Sequence, residues 1–175
     1  MSKGIPEHID LMRAANHERR YQGVYEVAKM QRLAGLLADR QGQVEVDVQF
    51  GRNGQNQPYF KGRANGQLSL PCQRCMEPLQ IDIDVSFELM LAGSHYQAER
   101  LTEDKDVLVI DVIPASFIEI VEDELLLGFP AVYMHSIDEC KAAPFMKDKR
   151  EGQLEEKGEA KPNPFDVLKD LKLDS

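Results

Sequence analysis

The sequence predicts an α+β protein: an antiparallel meander sheet packed by two main helices, then a charged linker and a short C-terminal helix. Two periodicities carry this reading. Over 44–50 and 79–91 apolar residues recur at every second position, the period of a strand with one buried face. Over 26–39 and 113–127 the spacing lengthens to three and four, the period of a helix with one buried stripe. A chain of 175 residues is long enough for one substantial core. The expected organisation is a single α+β domain over 1–140, a charged flexible linker over 141–161 and an amphipathic docking helix over 162–175.

Each element has a local reason. Asp10 is a fitting N-cap for a short helix containing Leu11, Met12, Ala14 and Ala15. His17 to Gly23 breaks that pattern. Val27, Met30, Leu33, Ala34 and Leu37 then line one face of a helix, and Gly42 is placed to stop it. Val44, Val46, Val48 and Phe50 alternate with Glu45, Asp47 and Gln49, which makes the first strand. Gly51 to Asn56 is a turn by composition. Tyr59 to Leu70 reads as a second strand, bent at its glycines. Leu79, Ile81, Ile83, Val85, Phe87, Leu89 and Leu91 alternate cleanly with polar residues in the longest strand. Three strands joined by short turns make a meander with one wet face. Residues 93–105 read as loop, and Val107 to Asp111 as a short buried strand. Asp111 is placed to cap the next helix, with Pro114 in its first turn. That helix carries Ile113, Phe117, Ile120, Val121, Leu125 and Leu127 on its apolar side, and ends at Gly128 and Pro130.

Between the second and third strands lies Leu70-Pro71-Cys72-Gln73-Arg74-Cys75-Met76-Glu77-Pro78. Two thiols stand three positions apart in a turn bracketed by prolines. The third cysteine, Cys140, follows His135 by five residues. Together Cys72, Cys75, His135 and Cys140 can form the Cys₃His tetrahedron that structural zinc prefers. Three readings stay open for the thiols: a structural zinc site, reduced side chains that pack, and a redox pair. Redox ranks last, because a thioredoxin-like pair opens a helix and this one is followed by a strand. His8, His17 and His95 have no cysteine neighbours and are left out of the site.

The formal net charge of −9 argues against non-specific nucleic-acid binding by the whole surface. The charge is uneven. Residues 1–75 hold 11 Lys/Arg against 7 Asp/Glu, whereas residues 76–175 hold 10 against 23. One half can therefore face an anion while the other faces a basic partner; the competing and commoner reading is a solvated acidic surface that keeps the protein soluble. Candidate RNA contacts are Arg13, Arg19, Arg20, Lys29, Arg32 and Arg74, with Tyr21 as a stacking surface. The competing reading has Tyr21 packed and the arginines solvated. Met1 to Glu7 holds no apolar signal-peptide region, and no apolar run approaches the ~18 residues of a membrane span. A cytoplasmic chain with reduced cysteines is expected.

The acidic side of the 113–127 helix carries Glu119, Glu122, Asp123 and Glu124. Carboxylates at this spacing can hold a metal or work as an acid/base pair, so a metal-dependent hydrolase or nuclease using 119–124 is the alternative to a binding protein. A solvated acidic face is the commoner case, and no histidine lies one turn away to complete a di-metal motif. At the C-terminus Asn163 and Pro164 suit the N-cap and first positions of a helix, and Phe165, Leu168 and Leu171 line one face. So short a helix needs a surface to dock on, either its own domain or a partner.

Leu70-Pro-Cys-Gln-Arg-Cys75, Val121-Glu-Asp-Glu-Leu-Leu-Leu127 with Phe129-Pro130, and Lys161-Pro-Asn-Pro-Phe165 with Leu168 and Leu171 occur in one order along the chain. This ordered set resembles the bacterial large ribosomal RNA subunit accumulation protein (YceD) family, and the resemblance extends to Tyr21-Gln22-Gly23. It implies a ribosome biogenesis factor acting in the synthesis, processing or stability of 23S ribosomal RNA, with no established catalytic activity, and a non-enzymatic role is expected. The implied partners are 23S rRNA or its precursor, a large-subunit ribosomal protein, or both, with no membrane and no small-molecule substrate. Some members of that family carry a cysteine-rich segment after the acidic helix. Here the segment is reduced to His135 and Cys140.

Overall fold

The computed structural model describes residues 5–101 and 105–146. The chain divides into a unit of Met1–Lys141 and a second of Ala142–Ser175. Within the second, residues of the expected linker form a short helix, α5 (Ala143–Met146). Residues 147–161 of that linker and the expected C-terminal helix, with Phe165, Leu168 and Leu171, lie outside the described residues.

Among the described residues of the first unit, the main sheet has five strands: β2 (Arg20–Glu26), β3 (Gln43–Arg52), β4 (Pro58–Pro71), β5 (Pro78–Ala92) and β6 (Val107–Val109), in that spatial order. Neighbours from β2 to β5 are antiparallel, and β6 runs parallel to β5. The three alternating runs in the sequence form β3, β4 and β5. Val44, Val46, Val48, Phe50, Phe60, Ala64 and Leu68 are all buried on one face. At the centre of the core the rings of Phe50, Phe60 and Phe117 meet with centroids 5.2–5.8 Å apart, joining β3 and β4 to helix α4 (Phe117–Gly128). Offset and tilted aromatic contacts of this kind add to the burial term. Gly62 is part of this packing. A Cβ there would stand 2.8 Å from ring carbons of Phe87 and 2.9 Å from the Asp47 carbonyl oxygen, so the absence of a side chain lets Phe87 lie against β4.

Helices α1 (Leu11–Asn16), α2 (Gln31–Leu36) and α4 contribute Leu11, Ala14, Ala15, Leu33, Phe117, Val121 and Leu125 to the same core. The opposite face of the sheet is polar. It forms a shallow trough of about 1100 Å³ whose lining includes Glu45, Asp47, Lys61, Arg63 and Glu88. Ion pairs run across its strands: Arg20 with Asp47 at 2.5 Å, and Arg63 with Asp84.

The structure corrects the sequence reading at five places. Arg20–Glu26 is a strand and not the break before a helix. It lies at the sheet edge, where only Tyr25 is buried, so it lacks strong alternation. The stripe over 26–39 is not one helix. A 3₁₀ turn (Val27–Lys29) ends at Met30, whose backbone is extended, and α2 starts afresh. Its stripe is still inward: Val27, Met30, Leu33 and Ala34 are buried. The expected loop at 93–105 contains a short helix, α3 (His95–Ala98), capped by the Ser94 hydroxyl, which accepts from the Gln97 N–H at 3.2 Å. Asp111 does not cap α4. Ala115–Ser116 forms β7, which pairs with β1 (His8–Ile9) and holds the chain extended, so the helix begins only at Phe117. Ile113 and Leu127 are consequently exposed and Ile118 is buried in their place. Finally, Glu122 is buried and not part of a solvated face.

Candidate metal centre

The six residues between β4 and β5 form a tight knuckle at the tip of the longest hairpin. Pro71 and Pro78 are register partners and close its base. Inside, the Cys72 N–H donates to the Glu77 carbonyl at 2.8 Å and the Met76 N–H to the Cys72 carbonyl at 2.8 Å. Met76 takes a left-handed backbone conformation (φ 63°), which turns the chain back towards β5. The segment after α4 lies against this knuckle. The Gln73 N–H donates to the Tyr133 carbonyl at 3.1 Å, and the His135 N–H to Cys72 Sγ at 3.4 Å. Lys141 pairs with Glu77 at 2.7 Å and fastens the far side of the segment.

This arrangement brings Cys72, Cys75, His135 and Cys140 together, with one ligand atom from each lying within 4.8 Å of all the others. Cys72 and Cys140 are buried, and Cys75 and His135 are half-buried. The donor set suits a metal in two further respects. Nε2 of His135 lies 3.1 Å from the Pro78 carbonyl, which can only accept, so Nε2 carries the hydrogen. In the neutral ring Nδ1 then presents its lone pair, 3.4 Å from Cys75 Sγ. Orientation of a ligating imidazole by a carbonyl on its other nitrogen is a common support for metal ligands. The second respect is charge. Burial raises the Cys72 thiol, but the backbone N–H groups of Cys75, His135 and Arg74 and the Cys75 side chain outweigh it and hold the thiol down at about 6. His135 is held above the usual imidazole range, chiefly by its hydrogen bond to Cys75, so a metal would displace a proton from that ring on gaining it as a ligand. At Cys72 the thiolate, the form that binds metals, is thus favoured. The residues fit a closed four-ligand site with no position left for water.

The acidic stretch 119–124 does not assemble into a comparable group among the described residues. Glu122 accepts the backbone N–H groups of Arg32 and Leu33 at 2.8 and 2.9 Å, and Asp123 pairs with Arg32. Burial, followed by repulsion from Asp106 and Asp123, raises Glu124 above its ordinary range.

The basic residues expected to meet RNA are distributed over several environments. Lys29 pairs with Glu7 at 2.6 Å, and Arg32 with Glu122 and Asp123. Arg20 lies on the polar face of the sheet against Asp47. Arg74 is half-buried in the cysteine knuckle, with Nη2 3.6 Å from Met134 Sδ and Nη1 buried without a partner. Arg13, Arg19 and Tyr21 do come together, lining one cleft of about 270 Å³ with His8 and His17. The two histidines had no local motif to announce them; only the pairing of β1 with β7 and the turn after α1 bring them there.

The whole chain can be compared with known proteins. A family described as "Large ribosomal RNA subunit accumulation protein YceD" matches residues 60–172. A protein of Haemophilus influenzae (strain ATCC 51907 / DSM 11121 / KW20 / Rd) with that same description is 30% identical over 169 residues, covering 96% of each chain. No solved structure matches this chain. A match that spans the cysteine hairpin and runs on to residue 172, with a relative that is similar over 96% of both chains, places the sequence plainly: it belongs to the YceD family of large ribosomal RNA subunit accumulation proteins.

Proposed function

We propose that this protein is a non-enzymatic factor of large-subunit biogenesis in the cytoplasm, supporting the synthesis, processing or stability of 23S rRNA by binding that RNA or its precursor, a large-subunit ribosomal protein, or both. The observation that carries this reading is the end-to-end likeness to a protein named for large ribosomal RNA subunit accumulation, over 96% of both chains. The geometry agrees with a binding role. Glu122 and Asp123, two of the four carboxylates of the acidic stretch, are committed to α2 and Arg32. Crosslinking in cells, with RNA and protein partners read out together, tests the proposal. Large-subunit rRNA or ribosomal proteins enriched over other RNAs support it; enrichment of neither, with unchanged 23S rRNA levels on deletion of the gene, contradicts it.

Zinc is the ion proposed for the Cys72, Cys75, His135 and Cys140 cluster, in a structural role. Three thiolates and one imidazole match its tetrahedral preference, and sulfur ligands at ~2.3 Å span edges of about 3.8 Å, within the 4.8 Å that bounds the ligand-atom separations. The ion would fasten the segment 131–140 to the hairpin tip. For the C-terminal stretch, Phe165, Leu168 and Leu171 are proposed to dock into a groove of an assembly partner. Deleting residues 161–175 distinguishes the cases. An unchanged melting temperature with lost 23S rRNA accumulation supports partner docking; a much lower melting temperature assigns the stretch to the protein's own core.

A further inference from the structure

The cleft shared by Arg13, Arg19, His8 and His17 is built rather than incidental. Its positions are fixed by the way the chain wraps the end of α1. The His17 N–H donates to the Arg13 carbonyl at 3.2 Å, the Glu18 N–H to Ala15 at 3.2 Å, and the Arg19 N–H to Ala14 at 3.0 Å. Glu18 holds a left-handed backbone conformation (φ 49°), which lets the chain reverse within one residue and enter β2. Arg13 and Arg19, six positions apart, therefore line the same hollow. His17 is fixed as well: Nδ1 lies 2.8 Å from the Arg13 carbonyl, so it donates there and leaves Nε2 available. Tyr21 meets Phe50 edge-on, with ring planes at 90°, which anchors it to the core as a rigid wall of the cleft.

The charge in the cleft is positive. Among the described residues neither Arg13 nor Arg19 takes part in an ion pair, in contrast to Arg20, Lys29, Arg32 and Arg63. The acid in the lining, Asp10, has Oδ1 occupied by the Arg13 N–H at 2.9 Å as the cap of α1. At about 270 Å³ the hollow lies below the ~300–1,000 Å³ of pockets for drug-sized ligands, so it suits a small anionic group and not a whole nucleoside. Guanidinium forks with supporting imidazoles are the side chains that bind phosphate oxygens.

We propose that this cleft is a phosphate-binding site that takes one phosphate of an RNA strand. The proposal rests on the RNA-binding reading above and places the anchoring contact at Arg13 and Arg19, aided by His8 and His17, rather than across the whole basic half. Arg20, Lys29 and Arg32 contribute little, since each already holds a carboxylate.

The test uses the full-length protein and two probes. In the first, single-stranded decanucleotide RNAs with a 5′-phosphate or a 5′-hydroxyl are titrated at several salt concentrations. Arg13→Glu with Arg19→Glu should weaken binding at least tenfold and lower the salt slope by about one, for the single phosphate contact removed. Arg40→Glu, a single exposed charge reversal outside the cleft, should change binding less than twofold. Tighter binding of the 5′-phosphate strand assigns the cleft to a chain end, and equal binding assigns it to an internal phosphodiester. In the second, inorganic phosphate is titrated while the His8 and His17 signals are followed by NMR; saturable shifts lost in the double variant are expected. Shifts with phosphate but no RNA binding by the unaltered protein would support the cleft and overturn the RNA reading. Binding lost equally in Arg40→Glu, or no shifts with phosphate, would overturn the cleft.

Discussion

Glu122 on α4 caps α2 from across the core: its Oε1 accepts the Leu33 N–H at 2.9 Å, and that of Arg32 at 2.8 Å. Two orphan amides at a helix start are met by a carboxylate that is itself buried. Hydrogen bonds to a charged group contribute about 1.5–3 kcal/mol each, and losing the acceptor leaves buried donors unmet. Glu122→Leu should therefore lower stability by about 3 kcal/mol or more, and Glu122→Gln, which keeps one carbonyl acceptor, by about half that. Denaturant melts of the two variants check this. Equal stability of Glu122→Leu and the parent would show that the cap carries no weight.

Removing the proposed metal should loosen the hairpin tip before the rest of the protein. Protein purified without chelator is expected to hold about one zinc per chain by elemental analysis, the stoichiometry of a single closed site. Chelation should lower the melting temperature, and Cys72→Ser or His135→Ala should lower it without further response to chelator. Hydrogen exchange should then rise first in residues 72–78 and 131–140. A metal-free protein that melts at the same temperature would remove the ion from the account.

The end of α4 packs tightly on the sheet through Gly128. A Cβ there would fall 2.2 Å from Val85 Cγ2 on β5. Gly128→Ala should cost about 1–3 kcal/mol through this overlap, despite alanine's better helix propensity. In the presence of Val85→Ala the cost should largely disappear, a coupling that a double-mutant cycle measures directly. Additive losses would mean that the two residues do not share the contact.

Acid should weaken the protein through its exposed ion pairs. The hydrogen bond from Arg20 holds Asp47 below the ordinary carboxylate range, that from Arg63 does the same for Asp84, and that from Lys29 for Glu7. A carboxylate with a lowered folded pKa releases its proton more readily in the native state. Its contribution is complete above about pH 4, the usual unfolded range, and declines as pH falls through the lowered values. Melting temperature should drop on this limb, and the drop should be shallower in Asp47→Asn with Asp84→Asn. An identical limb in that variant would place the acid sensitivity elsewhere.

How far the sequence revealed the molecule depends on where each signal resides. The strands β3, β4 and β5 were legible because each has one wet and one buried face, and alternation records that directly. The edge strand β2 was not, since with Tyr25 as its one buried side chain there is little alternation to read. The break at Met30 was hidden for another reason: the cap that restarts the helix comes from Glu122, 90 positions beyond Arg32. The Cys₃His group was legible through scarcity, because three cysteines and one nearby histidine leave few combinations. The phosphate cleft was half legible. Arg13, Arg19 and Tyr21 stood out by charge and type, whereas His8 arrives only through the β1–β7 pairing.

The contact between Cys75 and His135 joins positions 60 residues apart. Any ion held between them turns the chain from the hairpin tip through β5, β6 and α4 into a closed ring, pinned where it begins and ends. By the chain-entropy relation for crosslinks, a ring of that size takes about 4 kcal/mol of freedom away from the unfolded chain. The knuckle would then act far from its own location, since every element inside the ring, including the one carrying Glu122, has fewer ways to come apart. Loss of the ion would be felt as a general softening of that half of the protein, reaching α2 through its borrowed cap.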